Sequence, residues 1–324
     1  MFQKYRKQII FSVVFGAAVF LTLSIYANFS ELMIAFSQFN WLILPLVLML
    51  SLGNYIFRFF KWDYYTKILG VSVDRKMSFT IFLSSFIMSV TPGKIGEVFK
   101  SYLLKEQNGT PVSKSAPIVL AERITDFLSL ILLSIIGAVT FGYGTGLMFA
   151  VAVFFIIAIL LISSKRISYR IIGFLEKIKF VSKISHKIHE AYDSIHQLVK
   201  FKGLLIAILI STAAWSFECA GFYLIINSFW IENLFHINIF VSTFIYGFST
   251  IAGSITMLPG GLGATDASIT GLLILLNIPK SISVASTLLV RAATLWFAVI
   301  VGMAAVLLYQ RMAHKRVNEI VLSN

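Results

Sequence analysis

Predominantly apolar stretches of roughly 18 or more residues recur along this chain, each long enough to cross a hydrocarbon core about 30 Å thick. Ile9–Phe29, Trp41–Phe60, Ser115–Val139, Gly146–Ile162, Leu204–Phe229 and Ser283–Tyr309 are of this kind. A backbone in lipid must satisfy its own hydrogen bonds, and helices do so within each segment. Hydrophobic residues make up 58% of the 324, with a mean hydropathy of +0.88. The expected fold class is therefore an all-α polytopic membrane protein. No small-residue cleavage pattern follows the first run, which reads as a retained helix and not a signal peptide.

Two shorter runs, Met77–Val90 and Asn238–Leu258, end at Pro-Gly breaks, and each is followed by a short helical run, Glu97–Leu104 and Ala264–Leu276. Broken helices in a membrane are tolerated where protein or a water-filled cavity surrounds the bare backbone. Cytoplasmic loops concentrate Lys and Arg, so the formal charge of +13 is first a topological signal and not a nucleic-acid one. Lys4, Arg6 and Lys7 put the N-terminus inside, and Lys61, Lys67, Arg75 and Lys76 form the next basic cytoplasmic loop. Reading Met77–Leu104 as a re-entrant hairpin keeps Lys105 and Lys114 inside. The basic stretch Lys165–Lys202 and the closing Arg311, Lys315 and Arg316 then also fall inside, leaving Lys280 in the outer loops. The expectation is about six transmembrane helices plus two re-entrant hairpins, both termini cytoplasmic, in the cell membrane. It divides the chain into an N-terminal helix (1–40), a first repeat (41–163) with its hairpin at 77–105, a basic amphipathic linker (164–203), a second repeat (204–310) with its hairpin at 238–277, and a basic tail (311–324).

The repeats are read from the breaks. "TPGKIGEVFK" and "LPGGLGATDA" share Pro-Gly-x-[Ile/Leu]-Gly and a carboxylate within three residues, Glu97 or Asp266; Pro92 and Pro259 lie 167 apart (259 − 92). Arg123 in "LAERITDFLSL" and Arg291 in "LLVRAATLWF" lie 168 apart (291 − 123). Three spans separate the start of one unit from the start of the next, and an odd number inverts the second copy. Inverted repeats with paired Gly/Pro interruptions are a transporter architecture, with the substrate near the interruptions.

Charged residues deep in such spans are functional candidates, because burial there is costly without a partner. Arg123 has Glu122 beside it and Asp126 one turn on (i, i+3), so an internal ion pair and a ligand site both remain open. Arg291 has no acid in its own span; Glu218, Asp266 or an anionic ligand can answer it, and a guanidinium suits a phosphate. The half-helix N-termini after Pro92, Gly93 and Gly96, and after Pro259, Gly260, Gly261 and Gly263, offer free amides to an anion. Glu97 and Asp266 are placed to cap those amides, or to act in gating or ion coupling. Lys94 adds a cation at the first break. Arg58 is either a ligand-binding cation or a side chain snorkelling to the inner headgroups.

Other chemistry is not supported. The lone Cys219 makes no intrachain disulfide and reads as core filler. His186 and His189 lack further metal ligands, so no metal site is expected. "PGKIGE" lacks Walker spacing, and "GLGATD" lacks the third glycine and the strand context of a dinucleotide fingerprint. No catalytic triad or cofactor motif is discernible. Ile171, Leu175, Ile178, Val181, Ile188, Tyr192, Ile195 and Val199 repeat at helical spacing among basic residues, as in a connector, a lipid sensor or a docking helix on the anionic inner leaflet.

"TPGKIGEVFKSYLL", "ERITDFLSL", "LPGGLGATDASITGLL…VRAATLWFAVIVG" and "GNYIFRFFKW" together resemble the lysylphosphatidylglycerol synthase transmembrane (flippase-like) family, over about Trp41 to Leu308. In that family's multiple peptide resistance factor, such a domain is fused to a cytosolic aminoacyl-transferase and is taken to move the modified lipid between leaflets. With its last span ending near residue 310, the chain is expected to lack that transferase, which argues against lipid aminoacylation by this chain alone. The resemblance implies a non-enzymatic translocase that moves or binds an anionic phospholipid or polyprenyl-phosphate-linked lipid. It also places Arg58, Lys94, Glu97, Glu122, Arg123, Asp266 and Arg291 in motif positions. A membrane enzyme of lipid-carrier metabolism and a non-catalytic partner of a lipid or glycan synthase are the competing expectations. A homo-oligomer is left open, and no nucleic-acid partner is expected.

Overall fold

The computed structural model describes residues 2–91, 95–141, 145–230 and 236–323, which are helical almost throughout. Helix α1 (Phe2–Tyr26) turns through 94° into α2 (Phe29–Ser37), a short helix that the sequence pattern did not reveal. Asn28 makes the corner. Its φ of 65° is in the left-handed region, and its side chain caps α2 by accepting the Ser30 N–H at 3.2 Å. A 3-10 turn, Trp41–Ile43, leads into α3 (Leu44–Ile68). Helix α4 (Arg75–Ser84), capped by Asp74, tightens into a 3-10 turn at Ser85–Met88 before the first break.

Past that break, a 3-10 turn at Ile95–Val98 continues as α5 (Phe99–Asn108); then come α6 (Val112–Ser115) and α7 (Pro117–Phe141). Helix α8 (Thr145–Ser163) bends by 86° into α9 (Lys165–Leu175), followed by α10 (Lys179–Ser182) and α11 (Ser185–Leu198). The last part comprises α12 (Phe201–Ile226), α13 (Ile239–Ile255), the second break, α14 (Ala264–Leu275), α15 (Lys280–Arg291), a π-helical turn (Ala292–Trp296) and α16 (Phe297–Ser323).

Among the described residues, Trp41–Ile68, Phe201–Ile226 and Lys280–Met312 are each long and apolar enough to cross a membrane; counting each bent pair as one span gives five. Large apolar side chains such as Phe11, Leu21, Met49, Leu132, Phe154, Leu209 and Ile300 point outward. Water penalises that arrangement, whereas lipid tails do not.

The packing is reciprocal. Helix α3 lies along α12; α13 lies along α7; α4 and its 3-10 extension lie along α16. Each broken segment thus rests on a long helix of the other half of the chain, α13 on α7 and α4 on α16. Glycines permit both contacts. A Cβ at Gly137 of α7 would sit 2.0 Å from the Phe240 carbonyl oxygen, and one at Gly302 of α16 would sit 2.3 Å from the Ile87 nitrogen. The ends of the two broken segments also meet. Val90 and Leu262 are fully buried in one small cluster with Leu295 and Val299, covered by Phe15, Val19 and Phe20 of α1.

The basic linker divides in two. Tyr192, Ile195, Leu198 and Val199 of α11 and its C-terminal end are buried against the bundle. On α9, Ile167, Ile171, Phe174 and Leu175 stay exposed beside Lys165, Arg166 and Arg170, as suits a helix at a membrane surface. Glu176 joins the two parts, accepting from Ser185 at 2.5 Å and contacting His189 Nε2 at 2.8 Å. The Ser185 hydroxyl, and then His189, hold the Glu176 carboxyl below the usual carboxylate range. His189 is thus engaged with a carboxylate, and no group of three metal-type ligands occurs among the described residues.

Candidate functional site

The second break turns on four consecutive constraints. Met257, Gly260, Gly261 and Gly263 all have positive φ (52°, 60°, 67° and 84°), a conformation that glycine adopts without a Cβ penalty. Gly260 is tight as well: a Cβ there would lie 3.0 Å from Leu295. Asp266, fully buried, uses both oxygens. Oδ2 accepts the Gly263 N–H at 2.7 Å, capping α14. Oδ1 lies 2.9 Å from Arg291 Nε, an ion pair without good hydrogen-bond geometry, since neither atom has a bonded partner. Arg291 also donates through Nη2 to the Gly260 carbonyl at 2.6 Å. Of the partners open to Arg291 from sequence, Asp266 is the one that pairs with it, and that acid caps as well as pairs.

At the first break, Pro92, Gly93 and Lys94 lie outside the described residues. Thr91 Oγ1 accepts the Gly96 N–H at 2.9 Å, and a Cβ at Gly96 would clash with Thr91 at 2.5 Å. Buried Glu97 faces two guanidiniums: Arg123 Nη2 at 3.0 Å and Arg58 Nη2 at 3.7 Å. Arg123 also reaches Asp126 at 3.3 Å. Glu122 turns away from Arg123 and accepts from Lys100 Nζ at 2.5 Å; that ammonium lies 4.6 Å from the Trp62 ring centroid.

Two sequence expectations need correction. Lys61 is not a loop charge. It is 1% exposed, inside α3, and donates to Asp126 at 2.6 Å and Ser211 at 2.5 Å. Arg58 does not snorkel. Its side chain is 11% exposed and lies over the Phe86 ring at 5.1 Å. Both point inward because α3 packs along α12 and α7 here, which a single-helix reading cannot show. Lys100 and the aromatic groups Tyr55, Trp215 and Tyr246 were not picked out from sequence. The available signal was a lysine flanked by apolar residues in "VFKSYLL" and, in α3, Lys61 one turn after Arg58.

Five cations (Arg58, Lys61, Lys100, Arg123, Arg291) and five carboxylates (Glu97, Glu122, Asp126, Glu218, Asp266) lie largely buried in the bundle, and each cation is within ion-pair distance of a carboxylate. Pairing offsets most of the desolvation cost that isolated charges would meet. Beside these charges lies a cavity of about 60 Å³. A water needs about 10–15 Å³ of such space, so several fit.

Arg58 and Arg291 line the cavity, as do Ser89 ahead of the first break and Gly260 in the second. Glu218 lines it too, accepting from Tyr246 Oη at 2.6 Å. Trp215 contributes a buried Nε1 with no hydrogen-bond partner. The far wall is the π-helical turn directly after Arg291, whose carbonyls at Ala293 and Thr294 accept from Ser51 (2.8 Å) and Tyr55 (3.3 Å) of α3. Such π turns recur at functional sites. Arg123 is not among the lining residues; Glu97 and Asp126 hold it to one side.

An all-helical membrane protein whose two broken segments both line an ion-paired cavity is the class that fold and site define. Comparison with known proteins narrows it. Residues 9–302 match the family model described as the lysylphosphatidylglycerol synthase TM region, and the chain belongs to that family. The match takes in α1, which the motif resemblance did not reach. Similar proteins include a UPF0104 membrane protein of Methanothermobacter thermautotrophicus, 25% identical over 76% of this chain and 79% of its own length. Two UPF0104 membrane proteins of Methanocaldococcus jannaschii are also similar, one 26% identical over 79% of this chain and 81% of its own, the other 28% over 67% and 91%.

Proposed function

We propose that this protein is a translocase, and not an enzyme, for an anionic membrane lipid (a phospholipid or polyprenyl-phosphate-linked lipid), whose phosphate is held by Arg58 and Arg291. The observation that carries this reading is the single cavity touched by both arginines and by both broken segments. Guanidiniums recognise phosphate bidentately, and the family name supports a lipid role.

In the same reading, the two halves are inverted repeats with re-entrant hairpins, completed by α1, α3, α7, α8, α12 and α15–α16 as spans, with both termini at the cytoplasmic face of the cell membrane. The reciprocal packing of each broken segment on the other half supports it. So does a further register: Tyr55 and Trp215, Phe57 and Phe217, Arg58 and Glu218 are each 160 apart (for example 218 − 58). Phe57 and Phe217 touch, with ring centroids 5.4 Å apart, as two-fold-related residues near an axis do. The ion pairs Arg123–Glu97 and Arg291–Asp266 are then corresponding clamps that exchange during transport.

The test is leaflet exchange of a fluorescent phosphatidylglycerol in proteoliposomes. Exchange above empty vesicles is expected, and Arg58→Ala and Arg291→Ala should each lower it at least about tenfold, the scale of one lost charged hydrogen bond, whereas Lys280→Ala at the exposed start of α15 should not. Equal effects of all three would sink the site assignment, and no exchange at all would sink the function.

A further inference from the structure

We propose that the lipid's hydrocarbon chains are bound in the seam between α1 and the π-helical turn, and that α1 swings aside to admit them; this rests on the lipid-phosphate reading above. A cavity of about 60 Å³ has room for a few waters or a headgroup phosphate, and none for acyl or prenyl chains. A lipid held there leaves its chains outside, through one of the cavity walls.

Most of those walls are tied across helices. Asn54 Nδ2 of α3 donates to the Ala214 carbonyl of α12 at 2.8 Å, Ser51 Oγ to the Ala293 carbonyl at 2.8 Å, and Tyr246 Oη to Glu218 at 2.6 Å. The wall at Leu295 is different. Leu295 lines the cavity and also packs in the small cluster with Val90, Leu262 and Val299, which Phe15, Val19 and Phe20 of α1 cover. Phe11, Val14, Leu21 and Ile25 of α1 are exposed, so lipid lies directly beyond that cover.

Helix α1 is held along its length by apolar contact. Thr22 and Ser24 bond back to carbonyls of their own helix, at Ala18 (2.9 Å) and Phe20 (2.8 Å). Among the described residues, no hydrogen bond or ion pair joins α1 to another helix. Its C-terminal end is fixed, with Lys280 Nζ 3.9 Å from the Tyr26 ring centroid. Beyond the Asn28 corner, Leu32 and Ala35 of α2 are buried in the core. Lipid tails are as apolar as the side chains in this contact, so the membrane supplies no hydrophobic drive to keep it closed.

Trp296 of the π-helical turn lies in the same seam. A Cβ at Gly16 would be 2.5 Å from its ring, and Phe20 meets it edge-on with centroids 6.3 Å apart. Its Nε1 is buried without a hydrogen-bond partner. An unpaired buried donor is costly, and the ester or phosphate oxygens at the root of lipid chains are acceptors of the kind it lacks.

The test is leaflet exchange of fluorescent phosphatidylglycerol in proteoliposomes by a protein carrying Val19→Cys and Leu262→Cys, two positions of that cluster, in a Cys219→Ser background. A short bis-methanethiosulfonate links the pair and dithiothreitol releases it, so each sample is its own reference. Exchange should fall to that of empty vesicles when linked and return on release, and each single-cysteine protein should ignore the reagent. Phe20→Ala loosens α1 and should speed exchange about two- to tenfold, the worth of one aromatic pair. Undiminished exchange in the linked protein, or a Phe20→Ala protein no faster than the wild type, overturns the proposal. If the double-cysteine protein does not fold, the Phe20→Ala rate decides. Absence of exchange by the wild type sinks the translocase reading and this one with it, whereas exchange that persists through the link sinks this one alone.

Discussion

Lys100 and Glu122 show what single residues do in this interior. Their side chains are 1% and 3% exposed, and Nζ lies 2.5 Å from Oε2. Removing one partner strands a charge in low dielectric, which costs about 3–5 kcal/mol, while replacing both by apolar groups can be nearly neutral. Lys100→Met and Glu122→Leu should therefore each lower the thermal midpoint in detergent strongly, and the double variant should recover most of the loss. Additive losses would show that the two do not act as a pair. The motif positions Glu97, Glu122, Arg123, Asp266 and Arg291 were legible in sequence because ionisable groups stand out in apolar runs. Asp126 and Asp266 were also open as partners of Arg123 and Arg291, and both pairs form. The lysines that answer Asp126 and Glu122 were not legible, because Lys61 and Lys100 look like ordinary membrane-boundary lysines until α3 and α5 are packed against α7.

At the scale of elements, the broken segments depend on close backbone approach. Gly302 in α16 has the Ile87 nitrogen where its Cβ would go, at 2.3 Å, and backbone cannot move aside as a flexible side-chain end can. Gly302→Ala should cost about 1–3 kcal/mol, the usual penalty of overpacking, and lower the thermal midpoint by several degrees. Gly173→Ala in α9 meets nothing within 4 Å and should be neutral or stabilising by about 0.5–1 kcal/mol, since glycine is a weak helix former. Equal midpoints for the two variants would mean that α16 does not carry the first broken segment in this way. The long helices were legible from apolar length. The 94° and 86° bends into α2 and α9 were not, because the turning residues, among them Asn28 at φ 65°, resemble ordinary boundary residues.

At the scale of the molecule, the two breaks lie far apart in sequence yet bury Val90 and Leu262 in one cluster. In a Cys219→Ser background, Val90→Cys with Leu262→Cys should cross-link with a short bifunctional thiol reagent, while Val90→Cys paired with a cysteine at exposed Leu209 should not. Failure of the first pair, or equal yields, would separate the breaks and remove the shared cavity. The duplicated motif predicts that two such breaks exist. Which charges meet between them follows from how α3, α7, α12 and α16 cross.

The sequence by itself determined an all-helical membrane protein with two glycine-rich breaks and a small set of buried charges, since helix length, backbone strain and charge in lipid are local costs that each segment carries alone. Tertiary structure decided the partners. Arg58 and Arg291, rather than Arg123, line the cavity; Asp266 both caps and pairs; Lys61 lies inside. Ion pairing and cavity shape depend on distances of a few ångströms between helices, and the 3.6-residue period of one helix carries no information about which neighbour it meets.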